Sequence, residues 1–164
     1  MGLGAVRLAD IYIDTNVFIR CFESGEAEAA PLQDLFIALR ERPGSGITSE
    51  LTIAELFAPA KRFSPLASAE RRELYSALLL SSSLIDLRAV TLDILLATPT
   101  LRQAFNHKLA DAIHIATAEQ AGCSLFLSGD RDATRLPASL RHLRPDGTGV
   151  RVCLEVLARG SLTL

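Results

Sequence analysis

Tryptophan is absent from this chain, and aromatic residues make up only 5% of it. The apolar content comes from aliphatic side chains, at 49% hydrophobic against 22% charged residues. That balance excludes a disordered tail. With a mean hydropathy of +0.26 it also suggests more apolar surface than a monomer needs, so an oligomer or partner interface is expected. Long hydrophobic runs are missing too, since no 18-residue apolar segment exists to span a membrane. The opening "MGLGAVRLAD" has no apolar run after a basic start, so no signal peptide is expected. There is no basic excess: the net charge is −2, which does not mark a general nucleic-acid binder. Bulk charge misleads, however, if many acids are gathered in one place. Cysteine is scarce and odd in number (Cys21, Cys123, Cys153), with no CxxC pair. Buried thiols in a reducing, cytoplasmic compartment are the expectation. Repeats, low-complexity tracts and a GxxxxGK[ST] nucleotide loop are likewise absent.

What remains is a chain of 164 residues, long enough for a substantial core and expected to form one domain over 1–164. Periodicity predicts alternating strands and helices. A strand is expected over 10–14, and helices over 15–22 and 27–42, with Pro31 tolerable only near a helix start. "RPGSG" is a turn, "ITSE" a short strand, and "LTIAELFAPAKR" a helix. "PLASAERRELYSALLL" reads as amphipathic, with Leu66, Ala69, Leu74, Ala77 and Leu78 roughly on one face. A strand "LIDLRAV" follows, then residues 91–105. Next comes a helix over 107–122 that Asn106 would cap and Gly122 would end. "SLFLS" is a strand, 129–149 a loop with one helical turn, and "VRVCLEVL" the last strand. This alternation implies a mostly parallel sheet covered on both faces, with ligands outside the carboxyl ends of the strands.

Four acids interrupt apolar runs. Asp14 ends the strand "IYI", Glu55 lies in "LTIAELF", Asp111 in "LADAIHIATA", and Asp130 follows "LFLS". Each has an ordinary reading. Asp14 would cap a helix, Glu55 would pair with Lys61 or Arg62, Asp111 would sit at a helix dipole, and Asp130 would be a turn residue. Their joint pattern says more. With one acid per βα or βαβ element, parallel strands would converge them at one edge. Clustered carboxylates cannot all stay ionised without a cation, and oxygen-only ligation suits Mg²⁺ or Mn²⁺. Such clusters serve metal-assisted phosphodiester hydrolysis.

On four stretches the chain resembles the PIN-domain family of ribonucleases, and within it the VapC-type toxins of toxin–antitoxin pairs. They are "IYIDTNVFI", "TSELTIAELF", "HKLADAIHIATA" (the most specific) and "LFLSGDRDATRLP". The resemblance implies a three-layer α/β/α sandwich with a five-stranded, mostly parallel sheet. It places the metal-binding acids on Asp14, Glu55, Asp111 and Asp130, with Asp132 able to share or replace the role of Asp130. Thr15, Asn16 and Ser128 match supporting polar positions. It further implies Mg²⁺- or Mn²⁺-dependent cleavage of single-stranded RNA regions, leaving a 5′-phosphate and a 3′-hydroxyl. An antitoxin partner and a homodimer are implied as well. No member of the acidic set is missing.

The remaining residues discriminate less. His114 lies three positions after Asp111 but within core, so a packed, hydrogen-bonded histidine is expected. His107 and His142 show no zinc-ligand spacing. Arg131 and Arg135, with the arginines at 141, 144 and 151, lie near the fourth acid and are candidate RNA contacts. Lys61, Arg62, Arg71 and Arg72 form a second basic patch, for a partner or dimer contact. Against the nuclease stands a catalytically silent RNA-binding or scaffold module of the same fold. A haloacid-dehalogenase-like phosphatase would need an acid where Asn16 stands. A receiver domain would need an acidic pair at the first strand, and both are set aside.

Overall fold

A computed structural model describes residues 10–159. The reading that the opening segment carries no leader rests on residues 1–9, which lie outside them. The order of elements is β1 (Ile11–Ile13), α1 (Thr15–Glu23), α2 (Glu26–Arg40), β2 (Gly46–Ser49), α3 (Leu51–Phe57) and α4 (Ser68–Ser76). A π-helical turn Ala77–Ser81 extends α4. Then come β3 (Asp86–Arg88), α5 (Leu92–Phe105), α6 (Leu109–Gln120), β4 (Leu125–Leu127), β5 (Arg141–Leu143) and α7 (Gly147–Arg159). The five strands pair in parallel throughout, in the order β3-β2-β1-β4-β5.

Two cores lie on the two faces of this sheet. Ile11 and Ile13 point to one, with α1, α2, α4 and α7, while Tyr12 points to the other, with α5 and α6. A strand packed on both faces has no polar side, which is why β1 is simply "IYI" and fully buried. The architecture is the three-layer α/β/α sandwich expected from the resemblance. Successive strands move one way from β1 and the other way from β4. The order therefore switches between these neighbours, where a crevice opens at the carboxyl ends. Asp14 leaves one strand there and Asp130 follows the other.

Several boundaries differ from the sequence reading. "VRVCLEVL" is helix α7, and the last strand is Arg141–Leu143, inside the expected loop. The β-branched alternation misleads because Val150, Cys153 and Leu157, at helical spacing, are the buried residues. Asp146 starts α7 by accepting from the amides of Thr148 and Gly149, at 3.1 and 3.0 Å. At Gly149 a Cβ would stand 1.9 Å from the Arg144 carbonyl oxygen, so the entry to α7 accepts only glycine.

Asn106 does not open α6. It closes α5 in the left-handed conformation at φ 57°, a role asparagine fills readily. Gly122, at φ 74°, follows the end of α6 as expected. Helix α3 stops at Phe57 rather than 62, because Pro59 forces Ala58 into an extended conformation. On α4 and its extension the buried positions are Arg71, Tyr75 and Leu79, while Ala69 and Ala77 are exposed. Arg71 escapes an apolar pattern because it is buried as an ion pair. Its guanidinium holds Glu23 at 2.7 Å and donates to the carbonyls of Leu56 and Ala58 at the end of α3. It therefore does not belong to an exposed basic patch. Cys21, Cys123 and Cys153 are each buried. No helix among the described residues is long and apolar enough to cross a membrane.

Candidate active site

Asp14 is both a cap and a cluster member, so the two sequence readings coincide. Its Oδ1 accepts the Thr15 amide at 2.8 Å at the start of α1. Its Oδ2 accepts from Asn16 Nδ2 at 2.7 Å and from Ser128 Oγ at 2.6 Å. Asn16 also accepts the Gly129 amide at 2.8 Å, and Ser128 accepts the Asp130 amide at 3.1 Å. The "DTN" after β1 and the "SGD" after β4 are thus stitched across the crevice. Asp14 is fixed in place by three donors.

Asp14, Asp111 and Asp130 line one cleft, with His114, Ile115, Phe126 and Ala133. Asp111 enters it from the first turn of α6. Burial, then the charges of Asp130 and Asp14, push its carboxyl above the usual range. Asp132 turns away: it is exposed and faces Arg135 at 3.4 Å, while its amide donates to Asp130 Oδ1 at 3.0 Å. Of the two candidates for the fourth acid, Asp130 is the one in the cleft. Arg131 and Arg135 are exposed on the same loop, and Arg135 is engaged with Asp132.

Glu55 does not line the cleft. It reaches the cluster from α3 through two bonds to its Oε2, from Thr15 Oγ1 at 2.5 Å and His114 Nε2 at 2.8 Å. Burial raises its pKa, but the His114 bond and charge, the Thr15 bond and the charge of Lys61 outweigh that and hold it low. For His114 burial works downward. The bond to Glu55 and the charges of Asp14, Glu55 and Asp111 outweigh it and hold the imidazole above its ordinary value. His114 is packed and hydrogen-bonded, as the sequence suggests, yet it stands inside the site, 3.8 Å from Asp14 Oδ1.

The other two histidines brace the surrounding backbone. His107 Nε2 meets the Arg135 carbonyl at 2.6 Å, and His142 Nε2 the Ser128 carbonyl at 2.8 Å. These tie the loop after β4 to the start of α6 and to β5. Such bonds to backbone carbonyls leave no signal in the sequence.

The donor set suits a hard cation. It is made of carboxylate oxygens, and burial followed by the like charges of Asp130 and Asp14 raises Asp111. Among the described residues no group of three or more His, Cys, Asp or Glu side chains is placed so as to hold a metal ion by itself. A closed cage is not what Mg²⁺ or Mn²⁺ needs, because such ions keep several waters and use one or two carboxylates. The residues fit an open site with Asp14 and Asp111 as its base.

Comparison with known proteins agrees with this fold. A family model described as PIN domain matches residues 11–138. A chain from a solved structure, described as a toxin-antitoxin complex from Klebsiella pneumoniae, is similar with a TM-score of 0.57 and 25% identity. The match covers 84% of this chain and 98% of that one. No curated protein sequence matches. With most of its length under that model, the chain belongs to the PIN domain family.

Proposed function

We propose that this chain, as one domain over residues 1–164, is a metal-dependent endoribonuclease cutting single-stranded regions of RNA. We further propose that it is the toxin of a toxin–antitoxin pair, silenced by a cognate protein. The observation that carries the reading is the convergence of Asp14, Asp111 and Asp130 on one cleft at the switch between β1 and β4. PIN domains are generally nucleases, and the similar Klebsiella structure is a toxin-antitoxin complex, which supports both halves of the proposal.

Asp14 and Asp111 would hold Mg²⁺ or Mn²⁺, Asp130 would complete the cluster, and Glu55 would act from its Thr15–His114 anchor. The cation supplies charge neutralisation and acidifies the attacking water, so no side-chain nucleophile is required. The chain's own part is orientation. Thr15, Asn16 and Ser128 fix Asp14, and the Asn16–Gly129 bond sets the spacing between the two strand ends. Arg131 and Arg135, exposed beside Asp130, would meet RNA phosphates, and the products would carry a 5′-phosphate and a 3′-hydroxyl. A cytoplasmic homodimer is the expected working form.

The test incubates purified, antitoxin-free protein with a mixed RNA pool under Mg²⁺, Mn²⁺ or EDTA, beside Asp14→Asn and Asp111→Asn. Cleavage that needs metal, and that both substitutions reduce at least 100-fold, is expected. Cleavage that survives the substitutions places the chemistry elsewhere. A folded, metal-loaded protein that binds RNA but cuts none across the pool favours the silent module.

A further inference from the structure

Glu55 is attached to the sheet by a chain of bonds that passes through α6. The Ser49 amide donates to Tyr12 Oη at 3.1 Å, and Tyr12 Oη meets His114 Nδ1 at 2.7 Å. His114 Nε2 meets Glu55 Oε2 at 2.8 Å. Tyr12 and His114 are 0% and 3% exposed, so both are fixed by the core around them. The phenol ring is further clamped by stacking on Phe126 of β4, 5.0 Å away with planes 9° apart.

The donors along this chain can be assigned from the partners. Tyr12 O–H donates to Nδ1 and accepts from Ser49, which leaves the ring proton on Nε2 for the carboxylate. The Thr15 hydroxyl supplies the second donor to the same oxygen. Thr48 donates to the Ile13 carbonyl, so Thr52 is left to donate to Thr48 at 2.8 Å. Thr15 Oγ1 has one hydrogen and two acceptors in reach, Thr52 Oγ1 at 3.2 Å and Glu55 Oε2 at 2.5 Å, and the shorter contact takes it. Both donors to Glu55, Thr15 and His114, are themselves buried.

The result is asymmetric. Glu55 Oε2 is doubly bonded, whereas among the described residues no hydrogen bond reaches Oε1. Helix α3 is only seven residues long, and the Glu55 side chain is 35% exposed, so little else prevents the carboxylate from turning to solvent.

Resting on the nuclease reading above, we propose that His114, held by Tyr12, is a positioning residue. It occupies Oε2, which leaves Oε1 as the oxygen of Glu55 open to a divalent cation. His114 is not itself a ligand in this arrangement, because its two ring nitrogens are spent on Tyr12 and Glu55. Residues that orient metal-binding carboxylates affect metal affinity by about 10–100-fold when changed.

Two near-isosteric substitutions separate this role from packing. In His114→Gln the amide nitrogen reaches the place of Nε2 and still donates to Glu55. In His114→Asn the amide reaches only as far as Nδ1, which keeps the Tyr12 side and loses Glu55. The measurement is Mn²⁺ binding by calorimetry to wild type, both variants and Tyr12→Phe, with melting curves in EDTA.

His114→Asn is expected to weaken Mn²⁺ about tenfold or more. His114→Gln should stay within about threefold of wild type, and Tyr12→Phe should fall between. Glu55→Gln should bind as weakly as His114→Asn, and combining the two should add no further loss. Equal affinity in wild type and His114→Asn overturns the positioning role alone, as does an equal loss in Gln and Asn variants that tracks their melting temperatures. A wild-type protein that binds no Mn²⁺ overturns the metal-dependent reading itself, and this proposal with it.

Discussion

Burial and the charges of Asp130 and Asp14 raise the Asp111 carboxyl, so the folded protein keeps that proton to higher pH than the unfolded chain does. Protons held preferentially by the folded state make stability fall as pH rises. The loss begins at the ordinary carboxylate value and is complete above the raised one. Asp111→Asn removes the charge and keeps the shape. In EDTA at pH 7 its melting temperature is expected to lie above wild type by roughly 2–4 °C, the shift that accompanies ~1 kcal/mol in a chain of this size. Mg²⁺ should raise the wild type and leave the variant where it is. A variant that melts lower in EDTA would show that the three carboxylates do not oppose one another. A site that costs stability while empty is the usual companion of a site built to bind charge.

Helices α1, α3 and α4 meet at a second buried polar group. Glu23, at the end of α1, accepts from Arg71 at 2.7 Å and from the Tyr75 hydroxyl at 2.6 Å. Its side chain is 4% exposed and that of Arg71 is 9%. Removing one partner of such a pair strands the other, at a cost of about 3–5 kcal/mol. Arg71→Met is expected to lose on this order in denaturant melts, and Glu23→Leu added to it should recover part of the loss. Burial raises the Glu23 pKa, but hydrogen bonds from Ser64, Tyr75 and Arg71 outweigh it and the net direction is down. Its stabilisation is therefore complete above the ordinary carboxylate value and lost as pH falls through the depressed one. Glu23→Gln should flatten the acid limb of a stability-against-pH curve, and an unchanged limb would contradict that assignment.

The same elements show what a sequence can carry. Asp14, Glu55, Asp111 and Asp130 stood out because each breaks an apolar run, and the layer order followed from alternation. Arg71 was invisible as core because charge conceals burial when the partner is 48 positions away. "VRVCLEVL" was misread because β-branched residues at alternate positions also satisfy a helix whose every third or fourth residue is buried. The bracing histidines were beyond reach, since a bond to a backbone carbonyl depends on the fold and not on the partner's identity.

Taken together, the described residues leave a row of aliphatic side chains uncovered on α5. Leu92, Leu95 and Leu96 are 69%, 44% and 66% exposed. For a chain with surplus apolar content, a homodimer is the expected state. Size exclusion with light scattering should return about twice 17.7 kDa at micromolar concentration, and a strict monomer would remove the dimer from the proposed function. The missing tryptophan has a consequence of another kind. Only two tyrosines absorb and emit appreciably in the near ultraviolet, and both are 0% exposed. One hydroxyl is bonded to His114 beside the acids, the other to Glu23 in the strut below α3. With Tyr75 replaced by phenylalanine, the protein's own fluorescence becomes a single-site signal from Tyr12, one hydrogen bond behind the cleft residue His114. The arrival of metal or RNA could then be followed in unlabelled protein, with no dye attached and no bright background to subtract.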